Sequence, residues 1–424
     1  METCDIVIVG AGAAGLAAAI FAGDACQQGA KTERQPRIIV LEGAASIGAK
    51  ILVSGGGRCN VTHAEVSPLD FNGSRNVIRN VLAGFDVAAT CRWFASLDVE
   101  LKREESGKLF PVTDSARTVL AALLGRCDEL GISVRTGHRV HAVRRADGAS
   151  SEGPGDFVIE HACGVLRAPR VIMATGGRSL PRTGSDGAGW DIVRSLGHHV
   201  TDTYPALVPL VLQSGMFHAE LSGLSQPAEL FTFADGKRID HRTGSMLWTH
   251  FGISGPVVMD ASRHWVIAHA RGQRVEMYCN FLPGHDFEQA ENWLRSAAAQ
   301  RPRASLGRCL SERLPERLAL ALVRWTGCEP TVQMGQLTRM QRRTLLHALT
   351  AFPLRVERDR GWNFAEVTAG GVPLEEIDYR TMESRRAPGL YLVGEMLDCD
   401  GRIGGFNFQW AWASGCVAGR AAAC

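Results

Sequence analysis

Three glycine-rich segments, two near the start of the chain and one near its end, constrain the fold more than any other feature of the sequence. They are Gly10–Gly15 (GAGAAG), Ser54–Asn60 (SGGGRCN) and Gly401–Gln409 (GRIGGFNFQ). Because glycine carries no side chain, each segment lets the backbone approach another group closely. A large, flat ligand that bears phosphates explains all three segments together. The pattern therefore predicts FAD as the cofactor.

The first segment stands between a predicted strand and a predicted helix. Residues 5–9 are mostly β-branched, as in a buried parallel strand, and helix formers fill residues 16–22. In this context Gly10 permits the turn, Gly12 lets backbone N–H groups reach a pyrophosphate, and Gly15 lets the helix pack closely on the strand. The predicted fold class is α/β, with a Rossmann-like FAD-binding domain of the glutathione-reductase-like type.

A carboxylate ends the second predicted strand. Residues 37–42 read RIIVLE, and Glu42 stands where a carboxylate accepts hydrogen bonds from an adenosine ribose. The interval from Gly15 exceeds the usual ~20 residues, and a polar loop over 27–36 is predicted to account for the excess. The alternative is that Glu42 is an ordinary solvated strand end.

The second glycine segment follows Glu42 closely, so it starts at the carboxyl edge of the sheet, where a cofactor lies. Its glycines are expected to place backbone donors around the flavin and the diphosphate. Lys50 and Arg58 are candidate anchors for a phosphate or the substrate; the alternative is that both are solvated surface cations. Cys59 and Asn60 are the candidates for proton delivery or substrate contact.

The third segment opens a helix predicted over residues 406–417. The N-terminus of that helix, after Gly404 and Gly405, points donors at an anion, which in a flavoprotein is the reduced ring. Trp410 and Trp412 are interpreted as core residues. Two further runs, 171–177 and 389–395, show the same pattern of a buried strand followed by glycine. The predicted cofactor-binding residues are Gly10, Gly12, Ala13, Ala14, Gly15, Glu42, Lys50, Ser54, Gly56, Gly57, Arg58, Asn60, Ala174, Thr175, Gly176, Gly394, Glu395, Asp398, Gly404, Gly405, Phe406 and Asn407.

The cofactor motifs occupy the two ends of the 424-residue chain, so the middle is predicted to be an insertion. The predicted parts are a first FAD-binding part (1–195), an insert domain (196–360) and a second FAD-binding part (361–424). Within the insert, residues 205–283 are predicted to be β-rich and residues 286–352 to be helical and arginine-rich.

Composition excludes several classes of protein. The twelve cysteines form no Cys-x-x-Cys pair and no ladder of ligand spacings, so neither a metal site nor a disulfide framework is predicted. Cysteines used in this way fit a reducing cytoplasm. No run approaches the ~18 apolar residues of a membrane span, so no membrane association is predicted.

Charge is distributed unevenly. Residues 295–360 contain thirteen Arg, no Lys and five acids, a net charge of +8, while the whole chain carries +2 and the remainder therefore −6. Arginine pairs with phosphates and stacks on bases, so this segment is a candidate RNA-binding surface. The alternative is a solvated face of exposed helices.

His250 begins a Gly-Ile-Ser-Gly-Pro turn in the insert. We interpret it either as a residue that orients the substrate or donates a proton, or as a structural turn histidine. The serine of this turn, Ser254, lacks the GxSxG elbow, which disfavours hydrolase chemistry.

The order of these motifs resembles the BaiN/RdsA family of NAD(P)/FAD-dependent oxidoreductases over nearly the whole chain. The resemblance is carried by 10–15, 50–60, 249–256, 365–372, 380–383 and 394–415. It implies a two-part FAD domain interrupted by an insert, and reduction of activated carbon–carbon double bonds. Family members are linked to bile-acid intermediates or to a uridine of the large ribosomal RNA.

We therefore predict an FAD-dependent oxidoreductase that reduces an activated C=C bond, with a uridine of large-subunit ribosomal RNA as the candidate substrate. No second GxGxxG is visible, so NAD(P)H is expected to dock transiently as hydride donor. The alternatives are a flavin reductase or dehydrogenase acting on a small molecule such as a steroid-like enone, and an RNA-binding protein that holds FAD as structure.

Overall fold

The computed structural model describes residues 1–29, 36–146 and 156–424. It divides into two compact units, one formed by Met1–Tyr204 with Glu366–Cys424 and the other by Pro205–Ala365. The chain therefore leaves the first unit after Tyr204 and returns to it at Glu366. The polar loop predicted over 27–36 lies mostly outside the described residues.

The helices and strands are numbered along the chain. The helices are α1 (Ala13–Gly29), α2 (Ala49–Val53), α3 (Arg75–Gly84), α4 (Val87–Ser96), α5 (Ala116–Glu129), α6 (Ala188–Ser195), α7 (Pro256–Ala270), α8 (Phe287–Gln300), α9 (Leu306–Ser311), α10 (Glu316–Trp325), α11 (Arg339–Thr350) and α12 (Phe406–Ala423). The strands before the second unit are β1 (Glu2–Thr3), β2 (Ile6–Val9), β3 (Ile38–Leu41), β4 (Thr62–His63), β5 (Phe71–Asn72), β6 (Leu101–Arg103), β7 (Lys108–Pro111), β8 (Ser133–Arg135), β9 (Val140–Arg145), β10 (Phe157–His161), β11 (Gly164–Ala168) and β12 (Arg170–Met173). The later strands are β13 (Tyr204–Ala206), β14 (Leu210–Leu212), β15 (Ser225–Ala234), β16 (Lys237–Thr249), β17 (Gly252–Ser254), β18 (Val275–Asn280), β19 (Phe352–Leu354), β20 (Val356–Asp359), β21 (Val367–Ala369), β22 (Ile377–Asp378), β23 (Glu383–Ser384), β24 (Leu390–Leu392) and β25 (Asp400–Gly401).

A seven-stranded sheet in the order β22-β23-β24-β12-β2-β3-β8 forms the centre of the first unit. Its strands from β24 to β8 pair in parallel. The strands β2, β3 and β12 are buried along their whole lengths apart from one half-buried residue of β12, as expected of a parallel sheet covered on both faces. Because β24 comes from the far end of the chain, the end of the sequence completes the sheet that its beginning starts.

Helices α1 and α12 pack against each other through small residues. A Cβ atom at Gly415 would lie 2.6 Å from the carbonyl oxygen of Ala14, and one at Gly419 would lie 2.3 Å from that of Ala18. Only glycine permits backbones to approach so closely. This contact fixes the C-terminal helix on the first helix of the chain.

The second unit is built on a seven-stranded antiparallel sheet, β19-β18-β15-β16-β17-β14-β20. Helices α8 to α11 lie in the sequence between β18 and β19. The sheet thus takes its last two strands from residues after the arginine-rich helices, whereas the sequence predicted β structure only for residues 205–283.

Candidate functional site

The three glycine-rich segments lie together in the first unit. A Cβ atom at Gly394 would lie 2.8 Å from the Cβ atom of Ala14, and one at Gly405 would lie 2.6 Å from the carbonyl carbon of Thr62. Gly394 and Gly405 have positive φ angles of 72° and 94°, which glycine adopts without strain. The part of the chain from β24 to α12, which contains the start of the third segment, therefore touches both the start of α1 and β4, the strand that follows the second segment.

The fingerprint glycines divide into two kinds. A Cβ atom at Gly10 would lie 2.5 Å from the carbonyl oxygen of Ala174, and one at Gly15 would lie 1.9 Å from that of Gly10, so both are required by packing within the protein. A Cβ atom at Gly12 would meet no atom of the described residues within 4 Å. Gly12 thus leaves space open beside the N-terminus of α1, which fits the pyrophosphate of a dinucleotide.

The carboxylate of Glu42 is held over this turn. Its Oε2 accepts a hydrogen bond from the backbone N of Ala11, and its Oε1 accepts one from the backbone N of Ala44, both at 2.8 Å. Each carboxylate oxygen has a second lone pair for a further donor. These free acceptor positions fit the hydroxyl groups of an adenosine ribose, which would donate to them.

Lys50 lies in a polar network that joins distant parts of the first unit. Its Nζ donates to Glu395 Oε2 at 2.7 Å and to Ser179 Oγ at 2.8 Å. Glu395 Oε1 accepts from Ser179 Oγ at 2.6 Å and from the backbone N and hydroxyl of Thr368 at 3.0 and 2.9 Å. The ion pair with Glu395 accounts for both charges without a phosphate.

Arg58 is also engaged by protein groups. Its guanidinium lies 2.6 Å from Glu104 and 3.5 Å from Asp114, and it stacks over the ring of Phe110 with 4.0 Å to the centroid. The hydrogen bond with Glu104 raises the pKa of Arg58 above its ordinary value. Arg58 thus has acidic partners within the protein, and its role as an anchor for a phosphate or the substrate stays a prediction.

Cys59 and its neighbour have different surroundings. Cys59 is fully buried, and burial raises the pKa of its thiol to about 12 although a hydrogen bond with Ser54 acts in the opposite direction. Such a thiol keeps its proton at neutral pH, and the predicted role of Cys59 in proton delivery or substrate contact stays a prediction. Asn60 is also buried, and its Oδ1 has no hydrogen-bond partner among the described residues. An orphaned acceptor costs about 1–3 kcal/mol, so Asn60 fits an N–H or O–H donor of a bound molecule.

Asn407 fixes the loop that precedes α12. Its Oδ1 accepts from the backbone N of Gly401 at 2.8 Å, and its Nδ2 donates to the oxygen of Gly401 at 3.0 Å. The neighbouring Phe406 ring stacks on His63 with 4.9 Å between centroids. Since both polar atoms of Asn407 bond within its own loop, this residue shapes the N-terminus of α12.

The other predicted cofactor residues lie along the same elements. Ser54 Oγ donates to the backbone oxygen of Ile51 at 2.8 Å. The backbone N of Asp398 donates to the backbone oxygen of Val372 at 2.8 Å. Thr175 Oγ1 is a further buried polar atom without a partner in the described part of the chain. Ala13 and Ala14 lie at the start of α1, and Ala174 and Gly176 follow β12. Gly56 and Gly57 lie in the second glycine-rich segment, and Gly404 lies in the third.

Sequence reasoning missed the partners of Lys50 and Glu395. Ser179 and Thr368 join these charges, and Ser185 Oγ lies 3.4 Å from Lys50 Nζ. Ser179 lies two residues after the Thr-Gly-Gly at 175–177, which follows β12, and Thr368 lies in one of the family motifs. Polar residues next to such motifs were the available signal.

His250 lies in the second unit, in the exposed turn between β16 and β17. Its ring contacts Phe251 edge-on, with 5.1 Å between centroids. Its predicted role in orienting a substrate or donating a proton stays a prediction.

The sheet and the glycine segments define the Rossmann-like FAD-binding fold, the fold of FAD-dependent oxidoreductases. The family model described as "HI0933-like protein Rossmann domain" matches residues 4–421. The chain belongs to this family, and the predicted fold class, enzyme class and resemblance to BaiN/RdsA proteins are confirmed.

Two characterised relatives match almost end to end. The 3-dehydro-bile acid delta(4,6)-reductase of Clostridium scindens is 34% identical over 419 residues, which cover 99% of this chain and 98% of that protein. A ribosomal RNA dihydrouridine synthase of Escherichia coli is 32% identical over 417 residues, covering 98% and 96%. The chain is thus similar to one enzyme named for a small molecule and one named for RNA.

A solved structure is similar in fold. The 3-ketosteroid delta1-dehydrogenase of Sterolibacterium denitrificans superposes with a TM-score of 0.52 and 14% identity, covering 100% of both chains. At this identity the likeness concerns the fold alone.

Among the described residues, no helix has both the length and the apolar character that crossing a bilayer requires.

Proposed function

We propose that this protein uses NAD(P)H to reduce an activated C=C bond in a uridine of ribosomal RNA. FAD, held in the first unit, would supply the hydride chemistry that links the nicotinamide to an electron-poor carbon of the substrate. One carbon of the double bond gains the hydride and the other gains a proton, while NAD(P)H becomes NAD(P)⁺. The similarity to a ribosomal RNA dihydrouridine synthase supports this substrate class.

The residues of the first unit supply binding and orientation. The open space beside Gly12 receives the pyrophosphate at the N-terminus of α1, and Glu42 orients the ribose. The loop clamped by Asn407 holds the N-terminus of α12, whose dipole would stabilise negative charge on a reduced ring bound beside it. Asn60 Oδ1 accepts a hydrogen bond from the cofactor or the substrate.

The arginine surface of the second unit is the observation that carries the RNA substrate. Several arginines of segment 295–360 are exposed and have no acidic partner within the described parts of the chain: Arg295, Arg303, Arg324, Arg339 and Arg343. Others in the segment are paired, as Arg301 is with Glu312. Unpaired guanidinium groups are available to phosphates, and releasing counterions from RNA makes their binding depend strongly on salt.

The reaction is tested on ribosomal RNA from a strain that lacks the gene. Purified FAD-loaded protein with NADPH or NADH should form dihydrouridine in that RNA, measured by mass spectrometry of nucleosides, and should oxidise one nicotinamide per dihydrouridine. If neither NADPH nor NADH bleached the yellow protein, the reductase assignment would be contradicted. Bleaching without dihydrouridine would refute the RNA substrate alone.

A charge-removal pair tests the surface. Arg339 and Arg343 are exposed one turn apart on α11, and the variant R339Q/R343Q should weaken RNA binding and lower its salt dependence by up to about 0.7 per lost phosphate contact. The control R144Q/R167Q removes equal charge from ion pairs of the first unit. Equal effects of both variants on RNA binding would refute a specific arginine surface.

The second candidate substrate is a steroid-like enone, favoured by the 34% identity to a bile-acid reductase. NAD(P)H oxidation that depends on such an enone, measured by absorbance with product identified by mass spectrometry, distinguishes it. In that case R339Q/R343Q should retain full activity, because a small neutral ring needs no arginine surface.

A further inference from the structure

A cluster of metal-binding side chains lies at one end of the β1-β11-β10-β9 sheet, formed by strands of the first unit. One ring nitrogen from each of His138 and His161 and the sulfur of Cys163 lie within 4.8 Å of one another. His138 precedes β9, His161 ends β10, and Cys163 stands in the turn that leads into β11. We propose that these three side chains bind a zinc ion.

Strand pairing fixes the backbone of this cluster. The backbone N of Ala162 donates to the oxygen of Arg139 at 2.8 Å, so the turn after β10 is tied to the start of β9. The sulfur of Cys163 lies 3.6 Å from the carbonyl oxygen of Gly137. The thiol therefore points toward the segment that carries His138.

The ring of His138 is held by a hydrogen bond that suits a metal ligand. Nδ1 of His138 lies 2.7 Å from the carbonyl oxygen of Thr136, and donation from this nitrogen leaves the Nε2 lone pair for a metal. The His138 and His161 rings lie 5.1 Å apart. The backbone N of Cys163 donates to Nδ1 of His161 at 3.3 Å, and a zinc ion bound to this ring replaces that hydrogen bond.

The ligand set selects the ion. Two imidazole nitrogens and one thiolate suit zinc, with Zn–N of about 2.0–2.1 Å and Zn–S of about 2.3 Å in a tetrahedral site that water completes. These lengths place ligand atoms roughly 3.3–3.8 Å apart, so small side-chain rotations close the cluster around the ion. Cys163 is exposed and gives the ion access from solvent.

The sequence shows no zinc motif here because the ligands come from two strands. His161 and Cys163 are separated by one residue in the sequence, while His138 is brought next to them only by the β9–β10 pairing. The same segment supports the predicted ribose site, since the backbone N of His138 donates to the oxygen of Glu42 at 2.8 Å. A bound ion therefore holds the backbone that carries Glu42.

The test uses full-length reduced protein without a polyhistidine tag, freed of metal by a chelator. Zinc is titrated in competition with a chromophoric chelator, and cobalt(II) is added in parallel as a spectroscopic substitute. We expect one saturable ion per chain and a thiolate-to-cobalt charge-transfer band. C163S and H161Q should each weaken zinc binding by about 10- to 100-fold or more, and C163S should abolish the band.

Two exposed residues outside the cluster provide matched controls, C424S and H199Q. Both should bind zinc as the wild type does. Wild-type affinity no greater than that of C163S, or a cobalt spectrum without the thiolate band, overturns the site. Neither readout depends on FAD or on catalysis, so this result and the proposed function fail independently.

Discussion

Replacing Gly12 with alanine separates cofactor binding from folding. A Cβ atom at this position meets no atom of the described residues within 4 Å, and the residue has no positive φ. The free energy of unfolding without FAD should therefore change by no more than about 1 kcal/mol. The added methyl group occupies the space assigned to the pyrophosphate. Losing one hydrogen bond to a charged group costs about 1.5–3 kcal/mol, so the Kd for FAD should rise roughly 10- to 150-fold.

Quenching of FAD fluorescence on titration with FAD-free protein measures this Kd, and urea unfolding measures the stability. The matched control is Gly15→Ala, whose Cβ atom would lie 1.9 Å from the carbonyl oxygen of Gly10. It should lose about 1–3 kcal/mol or more of stability through overpacking. If Gly12→Ala bound FAD as tightly as the wild type, Gly12 would not face the pyrophosphate and the reasoning would be wrong.

Three further predictions concern the first unit. Gly419→Ala should lower the free energy of unfolding by about 1–3 kcal/mol in urea, because its Cβ would lie 2.3 Å from the oxygen of Ala18; unchanged stability would contradict the close α1–α12 contact. Burial lowers the pKa of His198 although Glu376 acts to raise it. As the pH falls, this histidine therefore takes up its proton at a higher pH in the unfolded state than in the folded state. Stability should then fall as pH drops below the ordinary histidine value of about 6.5, and His198→Gln should flatten that loss between pH 7.5 and 5.5. Iodoacetamide at pH 8 should leave the Cys59 thiol unmodified until the protein unfolds, as peptide mass spectrometry would show, since its pKa is about 12.

Local sequence patterns were sufficient where a single strand–turn–helix unit carries the information. The strand predicted over residues 5–9 is β2, and the helix predicted over 406–417 is α12, which continues to Ala423. The glycine spacing could be interpreted because a strand–turn–helix unit requires glycine at fixed positions. At some of these positions another part of the backbone lies too close for a side chain, and at Gly12 the space is open for a ligand.

Pairings of charges could not be predicted in this way. Lys50 bonds to Glu395, 345 residues later in the sequence, and Arg58 pairs with Glu104 on a different loop. Each cation alone is equally compatible with a phosphate or a carboxylate partner. Only the folded sheet, which brings the two ends of the chain together, determines which partner is present.

We expect this arrangement to couple cofactor binding to the folding of the first unit. The N-terminus of α1 and the N-terminus of α12 come from opposite ends of the chain, and Gly415 holds the two helices in contact. A ligand that touches both helices binds the folded state and not the separated ends. FAD in excess of its Kd therefore stabilises the whole unit by mass action, by about 2.7 kcal/mol at 100 times Kd.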